Sequence, residues 1–177
     1  MNIGDINRMY IPVVSFFIPL IPYVAERLLR ISLPFGIKIM IALALFMHTA
    51  GGIMRWYWTP FLLYDKAAHF VSGMAVGLVI LVFFLFLDLH GVRFKRSTVL
   101  IGIFLLMAFF GGVWKIGEVY SDITHHTTFD DGLPDLIGDD ICHTLGSVAA
   151  VVASWLYFLT IPEGNGLNSL LRRNKPG

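Results

Sequence analysis

Residues 67–87 read AAHFVSGMAVGLVILVFFLFL, and this stretch contains no Asp, Glu, Lys or Arg. A helix needs ~20 mainly apolar residues to cross the hydrocarbon core of a bilayer. The only ionisable side chain in the stretch is His69, which stands near its beginning. The stretch therefore predicts a membrane-spanning helix, and this prediction decides the class of fold.

Other apolar stretches lie on both sides of this one. The predicted spans, in chain order, cover residues 11–25, 35–54, 67–87, 98–118 and 135–160. The first of them is short and carries Pro12, Pro19 and Pro22. Because proline inside a helix removes a hydrogen bond and bends the axis, this segment is expected to cross as a kinked helix or to dip into the interface. The sequence thus predicts an all-α integral membrane protein, a single-domain bundle of five transmembrane helices over residues 1–177.

The composition of the whole chain agrees with this fold class. Of its 177 residues, 56% are hydrophobic and 14% are charged, whereas soluble domains carry about 25% charged residues. The mean hydropathy is +0.74. A soluble domain of this size has no interior large enough for so much apolar surface, which excludes a disordered chain, a nucleic-acid-binding protein and an ordinary soluble enzyme. The single cysteine, Cys142, excludes a disulfide framework and a cysteine-based zinc ribbon.

Basic residues in the loops predict the orientation, because Lys and Arg favour the cytoplasmic side of a membrane. One side of the five-span topology holds nine of them: Arg27, Arg30, Lys38, Arg93, Lys95, Arg96, Arg172, Arg173 and Lys175. The other side holds four: Arg8, Arg55, Lys66 and Lys115. We therefore expect a multi-pass protein of the cell membrane with a cytoplasmic C-terminus and an extracytoplasmic loop between the fourth and fifth spans.

The acidic residues are unevenly distributed. Seven of the twelve lie in the segment from Glu118 to Asp140. Within it, Asp135, Asp139 and His143 recur every four residues, which places them on one helix face. Ionisable side chains within a membrane cost about 2.5–3.5 kcal/mol each at the helix centre, so they usually have a function.

A second pair with the same spacing, Asp65 and His69, opens the third span. His48 lies near the end of the second span, and Glu118 lies at the end of the fourth. In the predicted topology all these residues are at the extracytoplasmic ends of their helices. Four helices are therefore expected to bring His, Asp and Glu side chains to one depth, and nearby glycines are expected to let the helices approach closely.

Histidine and carboxylate side chains from facing helices are the ligands of Zn, Mn or Fe sites. The expected ligands are His48, His69, Glu118, Asp139 and His143, and the carboxylates expected to act as a general base are Asp65 and Asp135. An outward-facing site at headgroup depth suits a lipid or a lipid-linked substrate, whose oxygen a divalent metal would polarise. This hypothesis is a metal-dependent membrane enzyme with lipids as partners and no nucleic acid.

Two other functions remain open. Chains of Asp and His also mark proton or cation paths, although only Lys38 and Ser154 interrupt the cytoplasmic halves of the spans. Alternatively, the polar residues hold the bundle together or dock a partner without any chemistry. In that case Asp65 is a helix cap, and Asp135 and Asp139 complement a helix dipole.

The spacing of these residues resembles that of the YjdF-like family of membrane proteins. The shared elements are Tyr64-Asp65-x-x-x-His69-Phe70-x-x-Gly73, Trp114-x-x-x-Glu118 and Asp135-x-x-x-Asp139-x-x-x-His143-x-x-Gly146, preceded by His48 and Gly51. The resemblance covers roughly residues 45–150. A weaker similarity to VanZ-like proteins rests on Asp65-Lys66-x-x-His69-Phe70 alone. The resemblance implies a polytopic membrane protein and no particular reaction.

Two residues depart from the pattern of that family. The family usually has an acidic residue where this chain has Lys115, and an asparagine where it has His143. The resemblance implies that His143 strengthens a metal site. It implies that Lys115 removes one ligand or supplies a counter-charge.

Overall fold

The computed structural model describes residues 20–53, 56, 62–125, 132–162 and 165–173. Its helices are α1 (Ile21–Leu29), α2 (Phe35–Ile53), α3 (Leu62–Leu89), α4 (Arg96–His125) and α5 (Leu133–Leu159). Two short antiparallel strands, β1 (Ile31–Ser32) and β2 (Arg172–Arg173), pair Ile31 with Arg173 and Ser32 with Arg172. A 3-10 turn at Leu167–Leu170 precedes β2. The described chain is therefore helical apart from this two-residue ladder.

Three of the helices, α3, α4 and α5, are long and apolar enough to cross a membrane, and α2 is a shorter apolar helix. This confirms the predicted all-α membrane fold. Residues 11–19 of the predicted first span lie outside the described residues. What is described is α1, which has Pro22 in its first turn and continues to Leu29, four residues beyond the predicted end. Whether residues 11–25 cross the membrane stays a prediction.

Two helices extend beyond the apolar stretches that predicted them. Helix α3 begins at Leu62, so Asp65 and Lys66 belong to its first turns. Helix α4 continues through Glu118 to His125. The apolar pattern marks only the part of a helix within hydrocarbon, whereas the backbone hydrogen bonds continue into the polar interface. Consequently the charged residues lie on rigid helical ends rather than in loops.

Helices α3 and α5 form the most extensive contact in the bundle. Glycine permits this approach at two positions. A Cβ atom added to Gly73 would lie 2.5 Å from the carbonyl oxygen of His143, and one added to Gly146 would collide with the carbonyl oxygen of Phe70. Since only a residue without a Cβ fits there, these glycines set the separation of the two helices that carry Asp65, Asp135 and Asp139.

The outward faces of α4 and α5 carry large apolar side chains. Phe109, Ile116, Leu145 and Trp155 are all exposed in the isolated chain. A soluble monomer rarely exposes so much contiguous apolar surface, and hydrocarbon is the medium in which such faces are stable.

The end of the bundle opposite to the acidic residues is tied together by polar contacts. Glu26 accepts hydrogen bonds from the backbone amide of Leu33 at 2.6 Å and from Lys38 Nζ at 2.9 Å. Burial raises the pKa of Glu26, but these two hydrogen bonds outweigh it and leave the pKa below its usual value. The connection between α1 and α2 is therefore fixed by an ionised carboxylate.

Candidate functional site

Three helices meet at the end of the bundle that the loop charges predict to be extracytoplasmic. The N-terminal turns of α3 supply Asp65, Lys66 and His69, and those of α5 supply Asp135 and Asp139. The last third of α4 supplies Lys115 and Glu118. We refer to these seven residues as the charged cluster.

The centre of the charged cluster is a triad of possible metal ligands. One ligand atom each from Asp65, His69 and Asp139 lies within 4.8 Å of the others. His69 Nε2 is 3.4 Å from Asp65 Oδ1 and 3.5 Å from Asp139 Oδ2. Ligands about 2.1 Å from a tetrahedral ion are about 3.4 Å apart. The spacing of the imidazole from both carboxylates is therefore compatible with metal binding, and equally with His–Asp ion pairs.

Asp139 is the most enclosed member of the triad, with 3% of its surface exposed. Buried carboxylates must be paired, coordinated or protonated, because an isolated buried charge is very costly. Asp139 faces cationic groups from two other helices, α3 and α4. Asp139 therefore has little contact with solvent and a cationic partner on each of two neighbouring helices.

Lys66 is the cationic group from α3. Its Nζ donates hydrogen bonds to Asp65 Oδ2 at 3.0 Å and to Asp139 Oδ1 at 2.5 Å, and it also contacts the carboxylate of Asp135. An ammonium group has three donors, so one lysine can satisfy all three carboxylates at once. Lys66 thus links the first turns of α3 and α5.

Lys115 is the cationic group from α4. Its Nζ lies 2.9 Å from Glu118 Oε2 and 3.0 Å from Asp139 Oδ2. The other oxygen of Glu118 accepts a hydrogen bond from Trp114 Nε1 at 2.8 Å. The resemblance to YjdF-like proteins implied that Lys115 either removes a ligand or supplies a counter-charge. In the structure it supplies a counter-charge, and it connects Glu118 to the triad.

The formal charges of the cluster do not balance. Four carboxylates (Asp65, Glu118, Asp135 and Asp139) contact two ammonium groups (Lys66 and Lys115). With His69 neutral, two negative charges remain among the described residues. A single divalent cation would neutralise them.

The predicted site residues fall into three groups. Asp65, His69 and Asp139 come together in the triad. Asp135 is linked to the triad by Lys66, which contacts both Asp135 and Asp139. Glu118 is linked to it by Lys115, which contacts both Glu118 and Asp139. His48 and His143 are not part of the triad.

The two outlying histidines have other neighbours. His48 Nε2 shares a 2.9 Å hydrogen bond with Ser72 Oγ, and the ring is tilted against Trp114 with the ring centroids 6.2 Å apart. The His143 ring packs on the α4 backbone, where a Cβ added to Gly111 would lie 2.7 Å from His143 Cε1. Both histidines thus help the helices to pack in this arrangement.

Sequence reasoning did not predict the contacts of Ser72 or of Lys66, which entered only as an outward basic residue and as part of the VanZ-like motif. For Lys115 the resemblance implied a counter-charge but not its partners. The spacing nevertheless held a signal, because Lys115 and Glu118 are three residues apart on one helix and form an ion pair there. The Ser72–His48 contact joins α3 to α2, and no local spacing predicts a contact between two helices.

Comparison with known proteins agrees with the membrane fold. The chain matches the family described as "Predicted membrane protein (DUF2238)" over residues 4–160. An uncharacterized protein of Thermotoga maritima is 27% identical over 135 residues, which is 72% of this chain and 68% of that protein. No solved structure matches. The resemblance to YjdF-like proteins is confirmed, since they correspond to the same family.

Proposed function

The chain belongs to the DUF2238 family of predicted membrane proteins, and we propose that it binds one divalent metal ion through Asp65, His69 and Asp139. The observation that carries the proposal is the approach of three ligand atoms, from two helices, to within 4.8 Å of one another. The excess of two negative charges in the cluster supports it further. One imidazole and two carboxylates suit Zn, Mn or Fe.

In this proposal the roles of the side chains differ from those expected from sequence. Asp65, expected as a base, supplies a ligand. His48, Glu118 and His143, expected as ligands, support the arrangement of the helices around the ion. Asp135 keeps its expected role as a general base. Its carboxylate is close to the triad, because Lys66 contacts both Asp135 and Asp139.

The chemistry that follows is metal-assisted reaction of a lipid or lipid-linked substrate. Three protein ligands leave at least one coordination position open, as in catalytic metal sites. An ion there would polarise a phosphate or ester oxygen or lower the pKa of a bound water. Asp135 would accept the proton as general base. The location at helix ends, which the loop charges assign to the extracytoplasmic side, gives access to headgroups.

A second function is favoured by the lysines. Each of the four carboxylates in the cluster contacts an ammonium group, so the cluster would also serve as a purely structural clasp of α3, α4 and α5. In that case protons rather than a metal would balance the remaining charge, and the protein would have an accessory role in the membrane.

A transport path has less support. A path should be polar along the whole bilayer. The hydroxyl groups of the described α5 serines form hydrogen bonds with backbone carbonyls of the same helix and so do not mark a polar path. Ser147 Oγ donates to His143 O at 2.9 Å, and Ser154 Oγ donates to Ala150 O at 2.7 Å. Lys38 is paired with Glu26.

Thermal unfolding of the full-length protein in detergent distinguishes a metal site from a clasp. A metal bound only to the folded state stabilises it by mass action. We expect EDTA to lower the melting temperature and added Zn, Mn or Fe to restore it. His69→Ala should remove this response, and His90→Ala, an exposed histidine at the far end of α3, should keep it. A wild-type melting temperature that neither EDTA nor any of the metals changes would favour the clasp.

A further inference from the structure

A cavity of about 350 Å³ lies at the end of the bundle opposite to the charged cluster. The end of α3, the connection to α4, and the segment that follows α5 form its walls. Along α3, Asp88 is 23 residues from Asp65, which corresponds to ~34 Å at 1.5 Å per residue. The cavity is therefore separate from the proposed metal site.

Three basic side chains line this cavity: Arg93, Lys95 and Arg96. Arg93 and Lys95 are exposed, and neither forms a hydrogen bond or ion pair with any residue that the structure describes. Among the residues that the structure describes, the only acidic one in the lining is Asp88. These lining residues carry an excess of positive charge at neutral pH, and two of their cations are available to a ligand.

The remaining polar groups of the lining hold the cavity in shape. The guanidinium group of Arg96 donates a 2.7 Å hydrogen bond to the carbonyl oxygen of Ile161, which joins the start of α4 to the end of α5. Asp88, which is 6% exposed, accepts a 3.1 Å hydrogen bond from the amide of Asn168. The walls are thus fixed to one another by contacts between separate elements.

Close packing of the segment that follows α5 supports the same conclusion. A Cβ added to Gly166 would lie 2.9 Å from Asp88 Oδ2, so the segment after α5 lies directly against the end of α3. Tyr157 Oη donates a 2.8 Å hydrogen bond to the carbonyl oxygen of Leu167, whose side chain is buried. The arginine and lysine therefore face a preformed wall.

We propose that this cavity binds the phosphate group of an anionic ligand through Arg93 and Lys95. Guanidinium and ammonium groups are the usual partners of phosphate, and arginine can bind two of its oxygens at once. The volume is at the lower end of the range for small-molecule sites, which suits a phosphate with a small substituent. Basic pockets between transmembrane helices bind phospholipid headgroups. The phosphate comes either from an anionic lipid or from a soluble compound.

Binding to the full-length protein in detergent tests the proposal and separates the two sources. The probes are phosphatidylglycerol, phosphatidylcholine and inorganic phosphate, each titrated while the melting temperature is followed. Saturable stabilisation by phosphatidylglycerol but not by phosphatidylcholine identifies a lipid site. Saturable stabilisation by inorganic phosphate identifies a site for soluble phosphate. No saturable effect of either anion would overturn the proposal.

Variants of the lining residues determine whether the anionic probe binds in this cavity. R93Q/K95Q should weaken binding of the active probe roughly 20- to 30-fold, since each basic residue near anionic lipid contributes about a factor of five. R93K/K95R, which keeps both charges, should retain most of the binding. R27Q removes an exposed arginine from the same end of the bundle but outside the cavity, and it should bind like the wild type. Equal losses in R27Q and R93Q/K95Q would show general charge attraction and would contradict a defined site.

Discussion

Lys115 Nζ on α4 lies 3.0 Å from Asp139 Oδ2 on α5. This contact brings a positive charge to the most buried carboxylate of the protein's charged cluster, and it connects α4 with the helix pair α3–α5. The side chains of Lys115 and Asp139 are 11% and 4% exposed, so water screens their interaction weakly.

The first prediction concerns this pair. Lys115→Gln leaves Asp139 and Glu118 without their shared ammonium group, and breaking a buried ion pair costs about 3–5 kcal/mol. We therefore expect a large loss of stability in detergent, measured by equilibrium unfolding. Lys115→Gln/Glu118→Gln should regain part of the loss, because Glu118 loses its charge together with its ammonium partner, whereas Asp139 keeps its contact with Lys66.

Lys38→Gln is the matched control for that experiment. It also removes a lysine from an ion pair, but Lys38 is 38% exposed, and such pairs contribute only about 0–1 kcal/mol. If Lys115→Gln and Lys38→Gln have the same small effect, the interaction of Lys115 with Asp139 does not stabilise the bundle.

The second prediction concerns the approach of α3 to α5. Gly146→Ala places a methyl group against the carbonyl oxygen of Phe70, and overpacking of this kind costs about 1–3 kcal/mol. The melting temperature should fall accordingly. Gly112→Ala adds the same methyl group where no atom lies within 4 Å and should leave the melting temperature unchanged or slightly raised. A larger loss in Gly112→Ala than in Gly146→Ala would be incompatible with this helix packing.

The third prediction concerns orientation. The segment that connects α4 to α5 should be extracytoplasmic and the chain after α5 cytoplasmic, because the predicted topology puts nine basic residues on one side and four on the other. In a Cys142→Ser background, Thr127→Cys should react with a membrane-impermeant maleimide in intact cells. Ser169→Cys should react only after the cells are permeabilised. The reverse pattern would invert the topology and move the proposed metal site to the cytoplasmic side.

The fourth prediction is a pH dependence at Glu26. Because its folded-state pKa is lowered, the carboxylate contributes stability above the unfolded pKa of ~4.3, and this contribution is lost as the pH falls through the folded pKa. Glu26→Gln should destabilise the protein by about 1 kcal/mol at pH 7. The difference should shrink as the pH is lowered below 4.3. A difference between the two proteins that stays constant over this range would show that ionisation of Glu26 has no role.

Sequence alone predicted the apolar helices α2 to α5 and the approach of Asp65, His69 and Asp139 at helix ends. Long apolar runs depend on one helix at a time, as do the four-residue spacings of Asp65 with His69 and of Asp135 with Asp139, and both can be read from the chain. The rotation of each helix about its axis depends on packing against its neighbours. For this reason His48 and His143 lie outside the triad, where they contact Ser72 and the α4 backbone.

The lysines were harder to predict for a different reason. A lysine side chain is long and flexible, so its position in the sequence leaves its ammonium group free to point toward water or toward a buried carboxylate. Lys66 reaches across to Asp135 and Asp139 on α5, and this depends on how close α3 and α5 lie. That distance is fixed by Gly73 and Gly146, which the sequence marks only as small residues.

The most direct test of the account is the metal content of the purified full-length protein after growth with Zn, Mn and Fe and removal of loosely bound ions. We expect the wild type to retain about one equivalent of one of these metals, and Asp139→Asn to retain almost none. Asp88→Asn is the matched control, because Asp88 is also a buried aspartate but lies at the opposite end of α3. It should retain the wild-type amount. A wild-type protein without metal, or equal retention by Asp139→Asn and Asp88→Asn, would contradict the proposed site.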